Sequence, residues 1–185
     1  LVLVRHGQAQ HNPRAEAARS QGCSHEEFIN LMRADDAFDA DLTSIGIEQA
    51  EKTREDFARM NMTMDLIVAS SLTRAIDTAN IVFPQHLHAQ AERCSLDDLR
   101  EISGLLLNAK RRSRRELMDR NPTWNFEQVK TEEDELWTEE LGEQPVESCV
   151  ERGYQALLWL LQREEKKIAV VAHGGIFSFL LSSPS

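Results

Sequence analysis

Apolar residues along this chain fall into two kinds of pattern. Leu1-Val2-Leu3-Val4 is a short, unbroken, β-rich run, and Asp65-Leu66-Ile67-Val68-Ala69 and Lys167-Ile168-Ala169-Val170-Val171-Ala172 repeat the type. Runs this short and continuous predict strands buried on both faces. A weaker run from His86 to Ala91 predicts a further strand. Between the runs the period changes to that of a helix. Thr43 opens a polar amphipathic stretch to Met60 as a plausible cap. Leu72, Ala75, Ile76, Ala79 and Val82 share one face of a helix over 72–82. Pro145 suits the first turn of a third helix over 146–163, whose stripe reads Val146, Val150, Tyr154, Leu157, Leu158 and Leu161. Strands alternating with helices predict an α/β fold, a three-layer α/β/α sandwich around a mostly parallel central sheet.

Two segments interrupt this alternation. Residues 7–42 are long and polar for a strand-to-helix connection and predict an inserted helix or loop. Residues 121–145 carry the acidic cluster 131–137 with Trp124, Phe126 and Trp137 interleaved. That composition fits a solvated surface segment pinned by aromatics, or a lid over a pocket. No internal repeat or linker appears, so residues 1–185 are expected to form one domain. The chain opens inside a strand without a starting Met and stops soon after His173, so truncation at both ends is expected.

Composition narrows the classes. A hydrophobic share of 41% supports a real core. With 31 acidic against 21 basic residues the formal charge is −10, which argues against nucleic acid as a partner but not against small anions. No apolar run approaches the roughly 20 residues of a membrane span, and no signal peptide is visible. Cys23, Cys94 and Cys149 are widely spaced, with no C-x-x-C pair, which fits reduced thiols in the cytoplasm. Oligomeric state is not legible here, since apolar stripes serve core and interface alike.

Four polar features carry the candidate chemistry. Strand 1 ends in Arg5-His6-Gly7, strand 2 runs into Ser70-Ser71-Leu72-Thr73-Arg74, and the last strand ends in His173-Gly174-Gly175. Near the middle lies Asp97-Asp98-Leu99-Arg100-Glu101. Ligands of open α/β sheets bind at the carboxyl ends of strands, and three strands deliver two arginines and two histidines there. Arginine matches phosphate oxygens bidentately. Glycines at strand-to-helix turns let backbone N–H groups approach an anion. A neutral imidazole offers a nitrogen that can attack phosphorus, and a second can donate to the phosphoryl oxygens. A carboxylic acid can protonate the leaving oxygen and then deprotonate water, for which Asp97, Asp98 and Glu101 all qualify. The set needs no metal and no cofactor, and it suits a small phosphorylated substrate.

Four motifs in order extend this picture: Leu3-Val4-Arg5-His6-Gly7 followed by Asn12; Leu42-Thr43-x-x-Gly46-x-x-Gln49-Ala50; Ser70-x-Leu72-x-Arg74-Ala75-x-x-Thr78-Ala79; and Val171-Ala172-His173-Gly174-Gly175. Together they resemble the histidine phosphatase superfamily, the group of cofactor-dependent phosphoglycerate mutases and related phosphatases. The stretch ending Phe38-Asp39-Ala40-Asp41-Leu42-Thr43, the run from Lys110 and the cluster ending at Trp137 resemble the phosphoglycerate mutase-like proteins of plants and fungi. The resemblance implies a phosphoglycerate mutase-like fold. It implies His6 as the phosphorylated nucleophile, with Arg5, Arg74 and His173 completing the phosphate pocket and Asn12 touching the phosphoryl group. It also implies Glu101, in Leu99-Arg100-Glu101-Ile102-x-Gly104, as the proton donor, with Asp97 and Asp98 as competitors. The expected activity is phosphomonoester hydrolysis through a phosphohistidine. A mutase-type phosphotransfer is the nearest alternative, and a non-catalytic phospho-ligand scaffold is an alternative of another class.

Two departures from the mutase pattern favour a phosphatase. Ala9 stands where mutases commonly carry Ser, and Leu105-Leu106-Leu107-Asn108 replaces their tryptophan-containing segment. The basic run Lys110-Arg111-Arg112-Ser113-Arg114-Arg115 reads as the exposed face of a helix start, or as recognition of a multiply phosphorylated substrate or acidic partner. On a strand, His86 and His88 would share a face, but no carboxylate or Cys partner supports a metal there.

Overall fold

The computed structural model describes residues 1–34, 37–101, 106–137 and 146–181. The Pro145 helix start, Ile102 and Gly104 of the proton-donor motif, and Leu105 lie outside the described residues. So do the side chain of Val146 and the end of the 121–145 segment. Among the described residues the order is β1 (Val2–Arg5), α1 (Asn12–Ser20), α2 (His25–Arg33), α3 (Ser44–Arg59), β2 (Leu66–Ser70), α4 (Thr73–Val82), β3 (Glu92–Leu96), α5 (Arg114–Arg120), β4 (Asn125–Gln128), α6 (Val146–Leu161), β5 (Ile168–Ala172) and α7 (Gly174–Leu181). The five strands form one sheet in the order β1-β5-β2-β3-β4, with every strand pairing parallel.

Alternation of side chains across the strands builds two hydrophobic layers. Ile67, Ala69, Ala169 and Val171 face one side, against Ala75, Ile76, Ala79 and Val82 of α4 and Leu117 of α5. Leu66, Val68, Val170, Ala172 and Leu96 face the other, against Ala156 and Leu160 of α6 and Ile176 of α7. The layered, mostly parallel α/β architecture expected from the alternation is present. The inserted segment carries α1 and α2. Thr43 caps α3 by accepting from Gly46 N, as its position in the sequence implied.

Five expectations need correction. β1 is not buried on both faces: it is the sheet edge, so Val2, Leu3 and Val4 are half-buried. The strand expected at His86–Ala91 is a series of turns set off by Pro84, whose carbonyl accepts from Leu87 and His88. The strand lies just beyond, at Glu92–Leu96, where Arg93 and Ser95 hide its apolar signature. His88 is therefore no partner for the exposed His86; it is buried, accepts from Met64 N at 3.3 Å, and stacks edge-on to Phe83. On α6 the buried face is Cys149, Arg152, Gly153, Ala156 and Leu160, whereas Val150, Tyr154 and Leu161 are exposed. α7 packs against this face, where a β-carbon on Gly153 would stand in ordinary contact, 3.5 Å from Phe179 Cβ. β4, with the polar sequence Asn125–Gln128, had no apolar run to announce it.

The fifth correction concerns the acidic and basic runs, which are one device. Arg111 is 2% exposed and donates to the carbonyls of Thr131, Glu132 and Glu133 at 2.8–2.9 Å. Arg100, also buried, forks onto both oxygens of Asp134 at 2.5 and 2.6 Å. Trp137 Nε1 donates to Leu106 O at 3.1 Å, and Lys110 lies over its ring. Residues 131–137 thus clasp two buried guanidiniums through Asp134 and the backbone, while Glu132, Glu133, Glu135 and Leu136 stay exposed, a surface segment pinned in part by Trp137. Only Arg114 and Arg115 of the basic run start a helix, which Ser113 caps. Among the described residues no helix is long and apolar enough to cross a membrane.

Candidate active site

Topology explains why distant motifs meet. From β1 the chain skips one place to β2, continues to β3 and β4, and returns through α6 to insert β5 between β1 and β2. The carboxyl ends of β1, β5 and β2 are therefore neighbours, at the point where the winding reverses. His6 follows β1, His173 follows β5, and Arg74 lies in the first turn of α4 after β2. His6 N donates to Ala172 O at 3.0 Å, so the two histidines leave adjacent strands together. Their ring centroids are 4.8 Å apart, inclined by 60°.

Two neighbours assign the protonation of His6. Nδ1 lies 2.6 Å from Gly7 O, an acceptor, so Nδ1 carries the proton. Nε2 receives Arg74 Nε–H at 3.3 Å, so it keeps its lone pair. Burial first, and then the Arg74 guanidinium, hold the ring well below its ordinary value of 6.5. The nitrogen facing the arginine keeps its lone pair in a neutral ring.

His173 is wholly buried, and burial, then Arg74 and His6, push it down as well. Its Nε2 sits 2.8 Å from Ser70 Oγ. Ser70 Oγ also accepts from Leu72 N at 3.3 Å. His173 Nδ1 is buried and has no hydrogen-bond partner among the described residues.

Arg74 is 1% exposed and donates through Nη1 to Asn108 O at 2.7 Å. Burial lowers it to about 10, opposed by the charges of Asp39 and Glu101, so it remains a cation. Asp39 is fully buried and accepts from Thr73 N at 2.9 Å and Thr73 Oγ1 at 2.6 Å, which ties it to the first turn of α4 beside Arg74. Arg5 is exposed, and its Nε would stand 3.9 Å from a β-carbon on Gly174. Gly175 N donates to Glu101 Oε2 at 3.4 Å, placing that carboxylate at the start of α7.

The other motif residues hold the turn after β1. A β-carbon on Gly7 would fall 2.4 Å from Gly46 O, and one on Gly46 would fall 2.0 Å from Gln8 O, so the two backbones cross where only glycine fits. Gly7 N donates to Thr78 Oγ1, and Gln8 N to Gln49 Oε1. Thr43 Oγ1 donates to Gln8 Oε1.

The structure thus brings His6, Arg74, His173, Glu101, Gly7, Gly174, Gly175 and Arg5 to one sheet edge. The side chain of Asn12 instead accepts from Ala9 N at 2.9 Å and meets His11 Nε2 at 3.0 Å. Asp97 is engaged by Ser71 Oγ and by Arg111 at 3.3 Å. Burial raises the Asp98 carboxyl, beside Arg152. Sequence reasoning passed over His11, 5% exposed and adjacent to Asn12, and assigned no role to Asp39, Ser70 or Thr78. For Ser70 and Thr78 the signal was available, since both sit in a quoted motif. Among the described residues no group of three or more His, Cys, Asp or Glu is placed to hold a metal ion.

Two histidines, two arginines and a carboxylate gathered at one set of strand ends have the chemistry to bind a phosphoryl group. The chain is 28% identical over 210 residues to phosphoglycerate mutase-like protein 1 of Arabidopsis thaliana, covering 99% of this chain and 71% of that protein. Its fold is similar to that of the alpha-ribazole phosphatase from Shigella flexneri, with a TM-score of 0.58 and 21% identity over 97% of this chain and 76% of the other. It is also similar to a phosphoserine phosphatase from Entamoeba histolytica solved with 3-phosphoglyceric acid, with a TM-score of 0.55, 21% identity and the same two coverages. Residues 1–183 match the histidine phosphatase superfamily, branch 1, and the chain belongs to that family.

Proposed function

We propose that this protein hydrolyses small phosphomonoesters through a phosphohistidine formed on His6. The observation that carries the reading is the orientation of His6, with Nδ1–H fixed on Gly7 O and a neutral Nε2 turned to Arg74. The phosphoryl dianion lies among Arg5, Arg74 and His173, and Arg74 Nε moves its hydrogen bond from His6 to a phosphoryl oxygen. His6 Nε2 attacks in line, the P–N bond forms, and the bond to the leaving oxygen breaks. Glu101 in its acid form gives that oxygen a proton. Water then attacks phosphorus as the same carboxylate takes its proton, and the P–N bond breaks to release inorganic phosphate. Positioning and electrostatics supply most of the acceleration in such transfers. A cytoplasmic setting belongs to this reading, as do reduced thiols.

The names of the Arabidopsis relatives favour a second reading, in which a substrate hydroxyl and not water accepts the group. Ala9 speaks for water, since its buried methyl offers no hydroxyl to a second substrate. A panel of phosphomonoesters assayed for inorganic phosphate, without added metal, separates the two. Hydrolysis yields one phosphate per ester consumed, whereas a mutase rearranges the ester and releases little.

Glu101→Gln is expected to slow alkyl phosphates about 10²- to 10⁴-fold, the usual worth of general acid catalysis. Aryl phosphates, whose leaving oxygens need little protonation, should lose far less. Equal losses on both classes would move the acid elsewhere.

The lowered His6 also sets a pH dependence. A solvated imidazole protonates near 6.5 and would lose its lone pair as pH falls through that value. Burial and Arg74 keep His6 neutral below it. Corrected for ionisation of the ester, kcat/KM should stay level from pH 7 to about 5.5. A fall by half near pH 6.5 would show that His6 titrates as an exposed group.

A further inference from the structure

The site contains a third buried histidine that the proposed mechanism does not use. His11 precedes the first residue of α1 and makes no side-chain cap for that helix. It is 5% exposed. Its protonation follows from its neighbour. Asn12 Oδ1 is occupied by Ala9 N–H at 2.9 Å, so the opposite arm of the amide, the –NH₂ group, faces His11 Nε2 at 3.0 Å. Nε2 must accept, and the ring proton therefore sits on Nδ1. That Nδ1–H is buried and has no hydrogen-bond partner among the described residues. A buried donor without an acceptor costs about 1–3 kcal/mol, so its persistence calls for an acceptor that arrives from outside.

The surroundings indicate where that acceptor lies. Burial, then the charges of Arg74 and Arg5, lower His11 to about 3. His11 in turn weighs on both His6 and His173. His11 thus lies within electrostatic reach of the four groups that would surround a phosphoryl group, and its buried Nδ1–H is unpartnered beside them in the turn after β1. His173 presents the same feature, a buried Nδ1 without a partner.

We infer that His11 is a substrate-contacting residue, whose Nδ1–H donates a hydrogen bond to an oxygen of the bound phosphoryl group, and that Asn12 is a positioning residue that acts through it. This inference rests on the proposed phosphoryl site. It also revises the role that resemblance implied for Asn12. With Oδ1 on Ala9 and its amide on His11, Asn12 spends its polar atoms on fixing the tautomer and tilt of the histidine. Because His11 is neutral, its contribution to anion binding is the same at pH 5.5 and pH 8.

Inorganic phosphate is the probe, titrated by calorimetry into the wild type and four variants, each checked for fold by circular dichroism and thermal midpoint. His11→Ala should weaken phosphate binding tenfold or more, the range for a hydrogen bond to a charged group. His11→Asn keeps an N–H donor at the distance of Nδ1 and should bind within about threefold of the wild type. That rescue is one a merely structural histidine would not show. Asn12→Ala should weaken binding, and the double variant His11→Ala/Asn12→Ala should be no worse than His11→Ala alone. If His11→Ala binds phosphate as well as the wild type, or His11→Asn is as poor as His11→Ala, the inference fails while the phosphatase reading stands. Additive losses in the double variant would show that Asn12 touches the anion itself. A wild type that neither binds phosphate nor releases it from any ester would sink the phosphatase reading, and this inference with it.

Discussion

Replacing His6 with alanine is expected to lower phosphomonoester hydrolysis by about 10⁴- to 10⁶-fold, the scale on which loss of a covalent nucleophile is felt. The remaining groups cannot substitute. His173 is wholly buried and has its Nε2 engaged with Ser70 Oγ. His11 has its lone pair on Asn12, and its other nitrogen carries the proton. Only His6 combines a protonated Nδ1 fixed by a carbonyl with a lone pair toward Arg74. Binding of phosphate should survive in His6→Ala, because Arg5, Arg74 and His173 are untouched. A steady-state assay on an aryl phosphate beside a phosphate titration checks both halves. Turnover at wild-type rates would place the nucleophile on another residue.

The largest stability effect is expected at Asp134, outside the strand-end motifs that carry the candidate chemistry. Its carboxylate takes both arms of Arg100, with each side chain 1% exposed. It also accepts from the backbone N–H of Arg111, Leu136 and Trp137. Asp134→Ala would leave a buried guanidinium without its counter-charge, which costs about 3–5 kcal/mol. That is a large fraction of the roughly 5–15 kcal/mol that holds a domain together. The Arg59–Asp56 pair provides the contrast, since its side chains are 66% and 46% exposed. Asp56→Ala should cost less than about 1 kcal/mol. Urea unfolding of both variants tests the difference, and equal midpoints would show that the clasp carries no special weight. Activity should also fall in Asp134→Ala. The clasp holds residues 106–111, where Asn108 O receives Arg74 and Ala109 O receives Arg100.

These two positions show what a linear sequence reveals. His6, Arg74 and His173 were legible because each sits at the end of an apolar run or in the helix that follows it. Parallel β-sheets place such ends along one edge. Glycine pairs were legible as turns, but not as the Gly7–Gly46 crossing, which depends on two segments meeting 39 positions apart in sequence. The clasp was not legible at all. Asp134 and Arg100 read as members of separate solvated faces, because nothing local says that their charges meet in the interior. β3 failed for a related reason: Arg93 turns inward to the Phe83 carbonyl and the Trp124 ring, so a core strand reads as polar. On α6 periodicity favoured the stripe through Val150, Tyr154 and Leu161, whereas the face turned to the core runs through Cys149, Arg152, Ala156 and Leu160, with a cation hiding the apolar signal.

His11 shows the same limit at the scale of one residue. Beside Asn12 it reads as an ordinary surface polar residue. Its meaning comes from the Ala9 N–H that occupies Asn12 Oδ1, and thus from the antiparallel bridge between Ala9 and Leu42 that holds this turn. The hydrogen-bond chain Ala9–Asn12–His11 sets a tautomer that no motif records.

Direct capture of the intermediate tests for a phosphohistidine on His6. The protein is mixed with an aryl phosphate carrying labelled phosphorus, quenched within milliseconds in alkaline denaturant, digested, and mapped. Label is expected on the peptide containing His6, attached at Nε2 and labile to acid, absent from His6→Ala and retained in His11→Ala. No label under conditions of rapid turnover, or label on the peptide containing His173, would contradict it.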